Sequence, residues 1–191
     1  MKRRYLRPIV PALLTLSAVS AIADDTALLN EARAVATSIP PKLIAVLKDE
    51  IAHGGPEGAI AVCRDKAPQM AKAASAQSGW SIRRVSLKNR NPKAVPDAWE
   101  RAVLEDFERR AATGEAPETL EAGEVVVDAG KKSYRYMKAL PTQTLCLACH
   151  GSDVEISPAV RTKLQALYPD DKATGYALGE IRGAMTIRRP L

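Results

Sequence analysis

Apolar positions along the chain recur first at helical spacing and later at strand spacing. Residues 26–52 are periodic like a helix; Pro40-Pro41 predicts a kink in it and Gly54-Gly55-Pro56 its end. Residues 57–77 predict a second helix closed by Gly79. Its face runs Ala59, Cys63, Ala67, Met70 and Ala74, at steps of four, four, three and four. Residues 80–87 alternate like a strand, with Ile82 and Val85 apolar among Arg83, Arg84 and Ser86. After a Pro-containing loop at 89–96, Asp97 is placed to N-cap a helix carrying Trp99, Val103, Leu104 and Phe107. Residues 124–129 and 133–139 predict a hairpin about the turn Asp128-Ala129-Gly130-Lys131. A short helix at 157–167 is broken by Tyr168-Pro169, and residues 183–189 predict a last strand. Helices combined with mostly antiparallel strands indicate an α+β domain.

The first residues have a different character. Lys2, Arg3, Arg4 and Arg7 precede an apolar run at 9–22, and Ala21-Ile22-Ala23 is a small-residue cleavage site before Asp24-Asp25. The run is shorter than the roughly 20 residues that span a bilayer comfortably, so no stable membrane anchor is expected. No Cys stands at the cleavage site, which argues against a lipoprotein. Residues 1–23 are therefore expected to be an export signal cleaved after Ala23, and residues 24–191 a single periplasmic domain. At 168 residues that domain is long enough to bury most of its apolar surface.

Removing the signal also changes the charge balance. The whole chain carries 28 Lys+Arg against 22 Asp+Glu; less the four basic residues of the signal, 24 basic residues remain. Arg83, Arg84, Lys88 and Arg90 form a basic cluster, but no aromatic residues interleave with it. A solvated strand face, or a clamp for carboxylates, suits it better than nucleic acid, and no nucleic-acid partner is expected.

The sharpest chemical signal is Cys146-Leu147-Ala148-Cys149-His150, a C-x-x-C-H run. Two thiols three positions apart on one helical turn reach the two vinyl groups of a haem, and the adjacent imidazole lies under the iron. Zinc needs two further ligands, and only Cys63 and His53 remain for it. A thioredoxin-like redox pair does not require the trailing His. Export and motif agree, because haem is attached to c-type proteins after translocation. One covalent haem c is expected, held by Cys146, Cys149 and His150. Its two propionates would bring the mature chain near neutrality. Arg90 and Arg182 are the candidate propionate partners, each set against a structural ion pair with Asp97, Glu100 or Asp171.

Cys63 has no cysteine partner once the motif pair is used. A lone thiol in an oxidising compartment needs burial, an intermolecular disulfide or a metal. Simple burial on the apolar helix face competes with a role as sixth ligand, for which His53, Met70, Met137 and Met185 also stand. Spacing alone does not separate Cys63 from His53.

The stretch Ala59-Ile60-Ala61-Val62-Cys63 with Ala67-Pro68 resembles the opening motif of a bacterial family of exported single-haem c proteins with a PAS-like fold, long catalogued as a domain of unknown function. Arg90-Asn91-Pro92 followed by Pro96-Asp97 and Glu100, and Cys146 to Gly151, resemble its later motifs. Tyr168-Pro169, Asp171, Ala173, Gly175-Tyr176, Gly179, Arg182, Gly183 and Ala184 resemble its final block. The resemblance covers nearly the whole mature chain in order. It implies a PAS-like antiparallel sheet with flanking helices and a long N-terminal helical segment. It also implies haem iron held by the motif His150 and by a cysteine thiolate at the position of Cys63.

Three function classes follow. A redox or small-gas sensor, with nitric oxide or carbon monoxide as ligand, comes first, because a thiolate ligand that leaves on reduction is a two-state element. A single-haem electron-transfer cytochrome with a redox partner protein is the alternative. A haem enzyme comes third; it needs an acid–base residue over an open distal position, and His53 is the sole other histidine.

Overall fold

A computed structural model describes residues 17–191. Most of the expected export signal at 1–23 lies outside the described residues. Among the described residues no helix is long and apolar enough to cross a membrane.

The chain begins with a long helix, α1 (Ser17–Ala61), then a single π-helical turn (Val62–Lys66) and α2 (Ala67–Ser78). The expected break at Gly54-Gly55-Pro56 is real: Gly55 is the non-helical residue inside α1, with φ +66° and ψ 177°. At Pro40-Pro41, where a kink is expected, the backbone stays helical and α1 continues without a break. Gly79, at φ +74°, closes α2 in the left-handed conformation that suits glycine at a helix end.

Four strands make one antiparallel sheet. They are β1 (Ser81–Val85), β2 (Glu121–Asp128), β3 (Lys131–Pro141) and β4 (Ile181–Pro190), in the order β1-β4-β3-β2. The last strand thus sits between the first and the third. β2 and β3 meet through the expected two-residue turn, where Ala129 and Gly130 both have positive φ, as this tight hairpin requires. Three helices complete the domain: α3 (Ala98–Ala112), α4 (Thr144–His150) and α5 (Pro158–Leu167). α3 starts with a full capping box: Asp97 accepts from the Glu100 backbone N–H, and Glu100 accepts from that of Asp97.

Strand alternation divides the core into two layers. Ile82, Tyr134, Tyr136, Met185 and Ile187 face α1 and pack on Leu28, Ala32, Ala36, Ile39 and Trp80. Val85, Met137, Ala139 and Ala184 face the other way, onto Leu104 and Phe107 of α3. α1 is also tied to the sheet by polar contacts. Trp80 Nε1 and Arg189 both donate to Glu31, while Arg33 and the Tyr136 hydroxyl donate to Glu121. A smaller cluster of Ile60, Ile156, Val160 and Leu164 joins the end of α1 to α5, with Cys149 of α4 packed against it. The expected PAS-like arrangement, an antiparallel sheet with flanking helices and a long N-terminal helix, is the fold observed.

One irregularity in the sheet matters for the site. Pairing between β3 and β4 slips between Ala139 and Pro141, so Ala184 and Ile181, three apart, oppose residues only two apart. Both nevertheless pack into the α3-side core. The extra residue falls at Arg182-Gly183, a bulge that re-aims the Arg182 side chain. Gly183, at φ +141°, permits it; a Cβ there would lie 2.3 Å from the Val85 carbonyl oxygen.

Candidate cofactor site

The C-x-x-C-H run forms α4, so Cys146 and Cys149 lie about one turn apart and His150 ends the helix. A later segment docks along that end. Gly175 N–H donates to the Gly151 carbonyl at 2.8 Å, and Tyr176 N–H donates to that of His150 at 2.9 Å. His150 Nδ1 lies 2.7 Å from the Ala173 carbonyl oxygen. A carbonyl can only accept, so Nδ1 carries the proton and Nε2 keeps its lone pair for a metal. Desolvation, reinforced by the charges of Arg182, Arg90 and Arg84, pushes the His150 pKa well below its ordinary value. The imidazole is held neutral and in one tautomer.

Cys63 lies in the π-helical turn, one residue after Val62. This corrects the expected continuous helical face. The wider turn leaves Ala59, Ile60 and Val62 buried and turns Cys63 out of the core, where it is solvent-accessible. Simple burial therefore does not account for this thiol. Its side chain is accessible to solvent, yet enough protein surrounds it for desolvation to raise its pKa, a combination that implies a concave surface, a recess. Arg84, Arg90 and Arg182 pull against that rise, and Cys146 adds to it. Cys149 shares the recess, its pKa pushed up to about 11 by desolvation against the opposing charge of Arg90. No disulfide joins any of the three cysteines. Isolated π turns inside helices occur often at functional sites, because they rotate one side chain out of the regular register.

The competing sixth ligands are placed elsewhere. His53 is exposed on α1, its side chain 78% accessible, with Nδ1 on the Asp49 carbonyl at 2.8 Å. Met137 is buried in the α3-side core and Met185 in the α1-side core, while Met70 lines a groove between α1 and α2.

The two arginines singled out by sequence play different parts. Arg90 Nε donates to Asp171 at 2.8 Å and its Nη2 to the Cys149 carbonyl at 2.6 Å. It carries the structural ion pair with Asp171 and ties the motif helix to the 171–173 segment. Arg182, re-aimed by the bulge, is 6% exposed and has no hydrogen-bonded carboxylate among the described residues. Its Nη1 donates to Ser86 Oγ at 3.2 Å, its guanidinium lies 5.2 Å from the Tyr176 ring centroid, and its Nε is buried with no partner among the described residues. Sequence reasoning offered Arg84 only as one of four clustered bases, a solvated strand face or a carboxylate clamp, and did not single it out. The π-helical turn was missed too, and its five-residue step leaves no signal in a four-three hydrophobic pattern.

These residues fit a c-type haem. The two thiols and the imidazole have the attachment spacing, Nε2 of His150 is free, and Cys63 faces the same recess. An orphaned guanidinium nitrogen awaits an anion. Among the described residues no three or more His, Cys, Asp or Glu side chains form a site for a bare metal ion. The donors suit an iron that brings its own equatorial ligands.

Comparison with known proteins agrees with this geometry. The chain matches the family model described as Tll0287-like over residues 15–190. The crystal structure of the cyanobacterial heme-protein Tll0287 aligns with a TM-score of 0.55 at 23% identity, over 93% of this chain and 97% of that one. At that identity the likeness is one of fold. No curated protein matches.

Proposed function

The chain belongs to the Tll0287-like family, and from that premise we propose that it is an exported, periplasmic protein carrying one covalent haem c. Its role in this reading is to sense redox state or a small gas such as nitric oxide or carbon monoxide. Cys146 and Cys149 would hold the haem by thioethers, and His150 Nε2 and Cys63 Sγ would supply the protein donors to its iron. When bound, the haem supplies a one-electron iron couple and affinity for diatomic gases.

The observation that supports the reading is the placement of Cys63, on an irregular turn, accessible, and near enough to Cys146 of the C-x-x-C-H helix to feel its charge. As a thiolate, Cys63 Sγ is a soft anion that favours the more highly charged iron state. Desolvation raises its thiol pKa. That raised pKa would favour a neutral thiol at Cys63 wherever the sulfur is not held as a metal ligand. His150, fixed by Ala173, stays in place. One fixed donor combined with one releasable donor would make a switch. A pure electron carrier gains nothing from ligand loss, which adds reorganisation.

The test is ligand binding by the purified holoprotein in both oxidation states. The expected result is that the oxidised protein resists exogenous imidazole while the reduced protein takes up carbon monoxide. Resistance in both states would favour the electron-transfer alternative.

A further inference from the structure

Arg84, Arg90 and Arg182 all act electrostatically on Cys63 and on His150, but their own partners differ. Arg90 is matched by Asp171. Among the described residues Arg182 has hydroxyl and carbonyl acceptors only, and its buried Nε has none. Arg84 makes no hydrogen bond and no ion pair among the described residues; its electrostatic neighbours are Cys63, Cys146, Tyr176 and Arg90.

The strand explains how Arg84 comes to stand alone. Residues 83 and 84 point to opposite faces of β1. Arg83 goes to the α3 side and pairs with the buried carboxylate of Glu100. Arg84 goes with Ile82 toward the α1 side, into the recess, and Ser86, two residues on, receives the Arg182 hydrogen bond. Arg84 is solvent-accessible there, yet desolvation and the neighbouring Arg90 charge disfavour its charged form. Two cations drawn into one recess, with the nearby Asp171 already bonded to Arg90, leave local charge without a counter-charge. Such an arrangement is costly unless an anion completes it.

We propose that Arg84 and Arg182 together form a carboxylate-binding subsite in the donor recess, and that its occupants are the two haem propionates, with Arg90 left as a purely structural brace. The assignment rests on the haem reading above and adds to it a residue, Arg84, that anchors the cofactor. A guanidinium presents paired N–H donors that match a carboxylate, which an ammonium does not. Arg84→Lys therefore restores charge without the fork.

The experiment compares Arg84→Gln, Arg84→Lys and Arg182→Gln holoproteins with the parent by resonance Raman spectroscopy of the propionate-bending bands and by redox titration. Arg84 makes no hydrogen bond or ion pair among the described residues, so its variants are expected to fold, and any fall in holoprotein melting temperature reports the lost cofactor contact. Expected are a shifted propionate band and a lowered midpoint potential in Arg84→Gln and Arg182→Gln. Arg84→Lys recovers the potential in part and leaves the band shifted. Parental bands in both glutamine variants would overturn the subsite. So would a change in Arg84→Gln confined to sulfur-to-iron charge transfer, which would make Arg84 a partner of Cys63 alone. A parent whose haem is extractable fails the haem reading itself, an outcome distinct from covalent haem with unaltered bands.

Discussion

His150 Nδ1 donates to the Ala173 carbonyl oxygen at 2.7 Å, which ties the last residue of α4 to a segment 23 residues further on. The bond fixes which nitrogen is free, and burial keeps the ring neutral. The sign of the resulting pH dependence is definite. With the folded pKa below the unfolded value of about 6.5, the unfolded chain takes up the proton first, so stability falls as pH drops below that point. In a Cys146→Ser, Cys149→Ser background the melting temperature is expected to decline between about pH 6.5 and 5. His150→Gln in the same background should flatten that decline.

Attachment depends on the two motif thiols. Acid–acetone extraction should leave haem with the wild-type protein, and a pyridine haemochrome spectrum should be of the c type. The double serine variant should yield no coloured covalent product. A b-type haemochrome from the wild type would contradict covalent attachment.

Glu121 joins α1 to the sheet, accepting from Arg33 and from the buried hydroxyl of Tyr136. Glu121→Ala leaves that hydroxyl without its acceptor, at a cost of about 1–3 kcal/mol. This corresponds to a fall in melting temperature of several degrees, roughly 2–4 °C per kcal/mol for a domain this size. The Arg33 hydrogen bond lowers the Glu121 pKa. Its contribution is therefore present above about pH 4.5 and is lost as pH falls through the lowered folded value. Thermal melts of Glu121→Gln should lack that acid-limb component.

Glu100 is 2% exposed and accepts from Arg83, Thr186 and the Asp97 backbone, with Arg135 beside it. Glu100→Ala removes one half of the capping box, takes the acceptor from the buried Thr186 hydroxyl and leaves Arg83 unpaired, while Arg135 keeps Asp97, so a loss of about 1–3 kcal/mol is expected in urea unfolding. Glu118→Ala, in a short turn outside this network, is the control and should change little.

Much of the fold was legible because its signals are local. Asp97 with Glu100, Ala129-Gly130, and Ser157 before Pro158 each mark a boundary by its own chemistry, and each boundary is found near where it was read. The fold's irregular points were not legible. Pro40-Pro41 reads as a kink, but the helix tolerates both and breaks at Gly55. The π-helical turn hides inside a pattern that ordinary helical steps describe equally well, so Cys63 was placed on a buried face. Within the site, the C-x-x-C-H run could be read directly. Telling Arg84 from Arg83, or Arg182 from Arg90, requires knowing which face of β1 looks into the recess and where Asp171 lies.

The central claim is that Cys63 Sγ is the releasable axial donor, and the ferric electron paramagnetic resonance spectrum of the holoprotein tests it most directly. The wild type is expected to give a low-spin signal of thiolate type. Cys63→Ala should abolish that signal, raise the midpoint potential and admit imidazole or cyanide, and Cys63→His should give a bis-histidine spectrum. His53→Ala should leave the wild-type signal unchanged, consistent with a side chain exposed on α1 and bonded to its own helix. A spectrum unaltered in Cys63→Ala but changed in His53→Ala would contradict the claim and make the protein a bis-histidine cytochrome.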